Sequence, residues 1–489
     1  MKMKINTLKN RIIFTLVAFM AISCSDDFVN VTSENESADN YFNSEEEYQQ
    51  ALIGAYDLLQ ATYLNVMIGE IASDNTLAGG ESANDVIGFQ QIDKMTHNPL
   101  NQQLRDIWNW MFAGVNRANY ILQYQDKTEF DGRTQVIAQA RFLRAYYYFE
   151  LVKFFGAVPL VIDKPLAFGD QFDIARTPAS EVYDQIEADL IFAAENLPAN
   201  QAQKGRITSG AANALLGKAY LYQNQFSEAA VALEKVIAGP YMLVTDYESI
   251  FEPEGENGTE SVFEVQYTDE EGAGFGCLQC SEGNVAVGFN GIRNFNGPTF
   301  DSGFSFNLPL QETVDAFEAG DIRKDVAILD IEEFASQTGA TYVEGYEHTG
   351  YYNRKYIARK GDLNTGDANL TNPNNYRAIR FADVLLMAAE ANFKKSPPDE
   401  GKAREYLNRV RVRAELDPVQ LSGNALLDQI YKDRRSELVG EGHRFFDLVR
   451  TGRAASAIDG FVVGKHELFP IPAIEIQLAG NNWEQNPNY

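Results

Sequence analysis

The chain has 489 residues, 45% hydrophobic and 22% charged, a composition that builds a large core and excludes a wholly disordered protein. Its formal charge of −28 at pH 7 repels nucleic-acid phosphates and anionic headgroups at long range, so nucleic acid is excluded as a partner. With 24 Tyr and 31 Phe against 3 Trp, most rings have to be core, leaving a few for a binding face.

Lys2, Lys4, Lys9 and Arg11 precede an apolar run at 12–22. Such a run makes about 16 Å of helix, too short for a hydrocarbon core of about 30 Å, so residues 1–23 read as an export signal. The run ends at Ser23-Cys24, which resembles the bacterial lipobox, with Ala21 where Leu is usual. A plain secretory signal is the other reading. On the first reading Cys24 becomes the acylated first residue of the mature chain, held by more than one acyl chain. Ser25, Asp26 and Asp27 open an acidic linker at 24–44 and resemble the signal that sends lipoproteins to the outer face of the outer membrane. No later apolar run is long enough to span a bilayer.

From 45 to 250 the sequence reads as helices with short connections. Residues 139–155 form one long helix, closed by Gly156 and Val158-Pro159. Thr177-Pro178 looks like a cap and first helical position, followed by Val182, Ile186, Leu190 and Ala193 at helical spacing. Leu216-Gly217-x-x-Tyr220, then Ala229, Leu233 and Pro240, matches the tetratricopeptide pattern, with Leu233 in the usual Phe position and Asn213 in that of the first Trp. Gly217 is expected to let the two helices of this hairpin approach closely. A looser copy joins Phe381, Val384, Leu385 and Ala388 to Ala403, Leu407 and Val410. Helix hairpins of this kind must stack to bury their faces. The expected fold is therefore all-α dominated, a tetratricopeptide-like array of about four helix pairs, interrupted once.

The interruption, placed at 251–375, is a loop-rich second lobe with short strands. Ten glycines fall between Gly255 and Gly303, too dense for regular helix. Val262, Phe263, Val265 and Tyr267 read as a short strand, and 311–318 as a return to helix. Within this lobe, Cys277 and Cys280 read as a local disulfide loop, two free thiols being the alternative; the four His offer no spacing that completes a zinc site. Residues 376–489 carry the remaining helices and an extended tail.

Several stretches together resemble the SusD/RagB family of outer-membrane nutrient-binding lipoproteins. They are the lipobox at Cys24, residues 141–160 (RFLRAYYYFELVKFFGAVPL), the repeat around Gly217, and Tyr376-Arg377-x-x-Arg380 with its apolar continuation. The run 430–438 follows, then Glu441-Gly442-His443-Arg444, Asp447-Leu-x-Arg450-x-Gly452, and Phe469-Pro-Ile-Pro472 with Gln485-Asn-Pro487. The resemblance spans essentially the whole mature chain. It implies four tetratricopeptide-like pairs, a loop-rich lobe, and a SusC-like TonB-dependent transporter over which the protein sits as a lid, delivering oligosaccharide or peptide. Taken without the family, Arg141, Arg144, Glu437, Arg444 and Asp447 read as ion pairs that fix helix packing, and Trp108 and Trp110 as core or lid contacts.

Sugar recognition needs aromatic faces beside fixed amide, carboxylate or guanidinium groups. Two loops offer that mix: 69–101, with Asp74, Asn75, Asp85 and Phe89, and 287–296, with Phe289, Asn290, Arg293, Asn294, Phe295 and Asn296. Tyr351 and Tyr352 rank third. The competing expectation for all these rings is that they pack the lobe's own core. The chain carries no G-x-S-x-G, H-E-x-x-H, Walker loop or G-x-G-x-x-G, so no catalytic residue and no cofactor is assigned. Asp362, Asn364, Gly366 and Asp367 faintly resemble a calcium loop, with a solvated polar turn the preferred reading and no metal assigned. The expected function is a non-catalytic, cell-surface glycan-binding lipoprotein. A peptide-binding member of the same family, or a protein-binding tetratricopeptide scaffold, are the alternatives.

Overall fold

The computed structural model describes residues 40–167, 169–360 and 370–489. The export signal, Cys24 and most of the acidic linker lie outside the described residues, as do Asp362, Asn364, Gly366 and Asp367. Among the described residues, eight helices precede the loop-rich segment: α1 (Glu45–Asp57), α2 (Tyr63–Ile71), α3 (Ile87–Asp93), α4 (Gln102–Gln123), α5 (Arg133–Phe155), α6 (Ala179–Asn196), α7 (Ser209–Tyr222) and α8 (Phe226–Ile237). Within its described residues lie four short ones: α9 (Val285–Asn290), α10 (Gln311–Asp315), α11 (Arg323–Ala327) and α12 (Ile331–Thr338). Beyond it come α13 (Phe381–Lys394), α14 (Glu400–Arg413), α15 (Gly423–Leu438) and α16 (Arg444–Arg450).

The long helices pair as α1 with α4, α5 with α6, α7 with α8 and α13 with α14. The first helix of each pair also touches the first helix of the next, the stacking that a repeat needs to bury its apolar stripes. α8 packs directly on α13, so the array closes over the insertion as if it were absent. Ser44, Asn101, Thr208 and Asp399 cap the starts of α1, α4, α7 and α14 by accepting from free N–H groups of the first turn. A Cβ on Gly217 would stand 2.5 Å from Leu233 Cγ, so glycine there sets the approach of α7 to α8.

Two local expectations shift. α5 begins at Arg133, six residues before the expected start: Arg133, Thr134 and Gln135 face outward, while Val136, Ile137 and Ala138 already belong to the buried face. Pro178, not Thr177, occupies the cap position of α6, while the Thr177 backbone pairs with Val158 in an isolated bridge.

The insertion contains short two-stranded pieces rather than one sheet. β1 (Thr76–Leu77) pairs antiparallel with β5 (Leu308–Pro309), and β3 (Ile292–Arg293) runs parallel to β4 (Ser302–Gly303). β6 (Ile328–Asp330) pairs antiparallel with β7 (Tyr351–Asn353). The expected strand near Val262 is β2 (Ser261–Val265), whose partner is β8 (Tyr376–Arg380). That pairing crosses the expected boundary at 375 and stitches the lobe to the head of α13. The lobe has its own small core, built from Ile292, Phe295, Phe300, Leu308, Leu329, Ile331, Tyr352 and Ile357.

Between lobe and array lies a buried charged junction. Arg380 Nη1 reaches Glu437 and Glu260 at 2.8 Å each, and its Nη2 reaches Glu441 at 2.7 Å. Lys355 holds the same Glu441 at 2.7 Å, and Arg323 binds Asp321, Asp433 and Glu437 at 2.7, 3.0 and 3.2 Å. Burial opposes ionisation of Glu437, but Arg413, Arg380 and Arg323 outweigh it and hold the carboxyl below its usual range. Burial pulls Lys355 down to about 8 against the attraction of Glu441. Beside this junction, Arg434 joins Asp447 at 2.7 Å, Arg450 joins Glu390 at 2.8 Å, and Lys218 donates to His443 Nδ1 at 3.3 Å. Burial, with Lys218 alongside, holds the His443 imidazole down at about 3, so it is neutral and able to accept. Arg144 pairs with Asp189 at 2.8 Å, as expected of a packing charge. Arg141 departs from that expectation: its guanidinium lies 4.1 Å above the Phe192 ring, and it makes no ion pair among the described residues.

Candidate functional site

A cleft of about 410 Å³ opens where α2, α3 and α4 meet the insertion. Phe89, Phe289 and Phe306 form its floor. Phe289 meets Phe306 edge-on at 5.1 Å and Phe89 at 6.1 Å, so the three rings brace one another. Tyr63 and Trp110, 6.1 Å apart, make the wall on the array side. Phe304 makes the opposite wall, stacked on Phe306 at 5.7 Å with the planes 10° apart. Phe275 and Leu278 overhang the mouth, with Phe275 edge-on to Phe304 at 5.4 Å.

Polar groups ring the aromatic surface. Glu81, Asp85, Gln103, Asp106 and Arg293 line the cleft. Arg293 Nη2 donates to the Phe304 carbonyl at 2.8 Å and reaches Asp85 at 3.4 Å, which anchors the guanidinium at the base of the Phe304 wall. Its Nε, and the Gln103 Oε1, are buried without a hydrogen-bond partner. Buried polar atoms of this kind are rare unless water or a ligand completes them. Burial raises the Asp106 carboxyl, with Gln102 acting in the other direction. Apolar faces flanked by fixed donors and acceptors suit a hydroxyl-rich ring. Three carboxylates against one guanidinium disfavour an anion.

Of the sequence candidates, Phe289 and Arg293 line this cleft, and Asp85 and Phe89 join them from the other loop. The rest go elsewhere. Asp74 is gripped by Arg444 at 2.7 Å and by Arg435 at 3.4 Å, and Asn75 Oδ1 accepts from Arg435 at 2.8 Å. Both tie the 69–101 loop to the C-terminal helices, because carboxylate and amide groups beside two arginines satisfy a packing need first. Asn290 faces inward, donating to the Tyr356 carbonyl at 2.9 Å and accepting from Asn307 at 2.9 Å. Phe295 and Tyr352 belong to the lobe's small core, which is the competing expectation for those rings. Asn294 is exposed at a left-handed φ of 48°, outside the cleft lining, and the Tyr351 hydroxyl donates to Gln311 at 2.9 Å. Cys277 and Cys280 are joined in a disulfide immediately beside the cleft mouth.

Residues missed in sequence include Tyr63, Gln103, Asp106, Trp110, Phe304, Phe306 and Phe275. Trp110 sits on the periodic apolar face of α4, so its spacing says core; only the insertion's arrival turns that position into a wall. Phe304 and Phe306 alternate with Ser305 in a run whose period-two pattern is a readable signal. Among the described residues no group of three or more His, Cys, Asp or Glu side chains is placed to hold a metal ion, and no helix is long and apolar enough to cross a membrane.

Residues 27–221 match a family described as starch-binding associating with outer membrane, and residues 330–489 match the SusD family. A laminarin binding SusD-like protein of known structure is 36% identical with a TM-score of 0.83, the match covering 92% of this chain and all of that one. Surface glycan-binding protein A from Bacteroides thetaiotaomicron, solved in complex with laminarihexaose, is 28% identical with a TM-score of 0.79, covering 91% of this chain and 100% of its own. SusD-like protein P2 of Formosa agariphila is 27% identical over 98% of this chain and 100% of its length. Residues 222–329, between the two family matches, hold Phe275, Phe289, Arg293, Phe304 and Phe306. With 36% identity to a SusD-like protein over 92% of the chain, and with both family matches, the chain belongs to the SusD/RagB family.

Proposed function

We propose that this protein is a non-catalytic, cell-surface glycan receptor, anchored in the outer membrane through acylated Cys24, which hands its ligand to a SusC-like TonB-dependent transporter. The ligand is a neutral glucan of the laminarin kind, held in the cleft between Trp110 and Phe304. The observation that carries this reading is the aromatic channel itself, with its carboxylate rim and unpartnered Gln103 and Arg293 atoms. Sugar C–H faces pack on the rings while hydroxyls complete the polar atoms. The laminarin-binding relative and the neighbour solved with laminarihexaose support the choice of sugar. The carboxylate rim supports neutrality, since a polyuronate would meet like charge on entry.

Affinity gels containing laminarin, a polyuronate or no polymer test this directly. Laminarin alone is expected to retard the mature chain, and a reducing-sugar assay on the same mixtures is expected to stay flat. Equal retardation by the polyuronate, or binding only to oligopeptides, would replace the glucan reading. Mass spectrometry of the membrane-extracted protein tests the anchor: an unmodified Cys24 would remove it.

A further inference from the structure

Phe275 is the most exposed ring of the cleft, 56% accessible, and it stands between Gly274 and Gly276. A Cβ at either glycine would meet nothing within 4 Å, and neither glycine has a left-handed φ. Packing and backbone geometry therefore make no demand for glycine here. The two glycines leave Phe275 flanked on either side by a residue without a side chain.

The segment is fixed at its base. Thr268 N donates to the Glu282 carbonyl at 2.8 Å, and Gln60 Nε2 lies 3.1 and 3.3 Å from the Gln266 and Glu282 carbonyls. Between base and cleft, Ala273 takes part in a β-bridge; beyond it Cys277 N donates to the Gly274 carbonyl at 3.3 Å and Cys280 N to the Cys277 carbonyl at 3.2 Å. A ring carried on such a glycine-rich stretch loses much conformational freedom on meeting a ligand, unless the stretch is held beforehand. The Cys277–Cys280 disulfide supplies that hold two residues after the ring, closing the turn that also seats Leu278 at the cleft mouth.

We propose that residues 274–280 form a disulfide-braced arm, that Phe275 is a ligand-contacting residue that extends the Phe304 wall at the cleft mouth, and that the cysteines are positioning residues acting through Phe275. This rests on the glucan reading of the cleft. The arm pre-organises the outer edge of the site, so its contribution is to affinity rather than to folding.

Titration calorimetry with laminarihexaose on the full mature chain tests it. Phe275→Ala is expected to weaken binding about 10-fold, the loss of one aromatic contact. Cys277→Ser with Cys280→Ser is expected to weaken it about 3-fold or more through lost pre-organisation, with an unchanged melting temperature. Placed on the Phe275→Ala background, the cysteine pair is expected to cost nothing further, because the brace acts through the ring. An equal cost in both backgrounds overturns the positioning role, and wild-type affinity in Phe275→Ala overturns the arm. Phe304→Ala separates the two readings: if it loses binding while Phe275→Ala does not, the cleft stands and the arm falls. Failure of the unaltered protein to bind the hexaose removes both.

Discussion

The charged junction and the aromatic cleft are built from overlapping kinds of residue and come to opposite ends. In the junction, Arg380, Arg323 and Arg413 are sealed from water, and Glu437, Glu441 and Glu260 take up their donors, the Arg413 Nε excepted. In the cleft, Arg293 keeps an unpartnered Nε, Gln103 an unpartnered Oε1, and Phe275 stands in solvent. A buried ion needs its full set of partners and tolerates few substitutions. A ligand site keeps vacancies that the ligand fills. The family signatures Tyr376-Arg377-x-x-Arg380 and Glu441-Gly442-His443-Arg444 belong to the first kind, so they mark the scaffold and say little about the sugar. Gly442 shows the same economy of space: a Cβ on Gly69 of α2 would overlap its carbonyl, and its own φ is 82°.

The contrast can be broken most severely at Arg380. Arg380→Met leaves Glu437, Glu441 and Glu260 short of a partner, and is expected to destabilise the fold by about 3–5 kcal/mol in chemical denaturation. A variant that melts like the parent would show the junction is not what joins lobe to array.

Glu70 tests the junction's edge through pH. Burial pushes its carboxyl up to about 7, against the Gly442 and Gly440 amides. Its folded pKa then lies above the unfolded value near 4.5, so the unfolded chain ionises first as pH rises. Stability from this group is whole below 4.5 and is lost as pH climbs to about 7, by about 3 kcal/mol. Glu70→Gln is expected to remove that slope and to be the more stable protein at pH 8, with parity at pH 4.5. His443 acts in the other direction, its depressed pKa costing stability as pH falls below about 6.5. An unchanged pH slope in Glu70→Gln would place the ionised carboxylate in the folded state.

In the cleft the effects belong to binding. Phe304→Ala removes a half-buried wall and is expected to weaken laminarihexaose binding about 10-fold, with little change in melting temperature. A fall in stability without loss of affinity would move Phe304 from site to core. The smallest effect is salt. Affinity for a neutral glucan is expected to hold within about 2-fold between low and high ionic strength, since no charge is neutralised on binding. A steep salt dependence would point to an anionic ligand that reaches Arg293.

Much of the array is legible in the sequence because helical periodicity is local. Gly217 with Leu233, and Phe381 with Ala403, read as facing helices from their spacing alone. The two loops that carry the aromatic and polar mix do converge, since Asp85 and Phe89 meet Phe289 and Arg293 in one cleft. Individual residues are less legible. Asp74 and Asn75 offer good ligand chemistry, yet Arg435 and Arg444, more than 350 residues away, claim them. Phe295 and Phe304 lie in the same run of the chain, and nothing local says that one fills a core while the other lines a wall.

Pattern along the chain therefore determined what depends on near neighbours: the helix hairpins, the glycine-rich break and the closeness of Cys277 to Cys280. Tertiary structure alone decided which side chains were left over once the junction's ion pairs and the two cores had formed. That decision follows from desolvation, because a polar or aromatic group is free for a ligand only if no distant part of its own chain reaches it first.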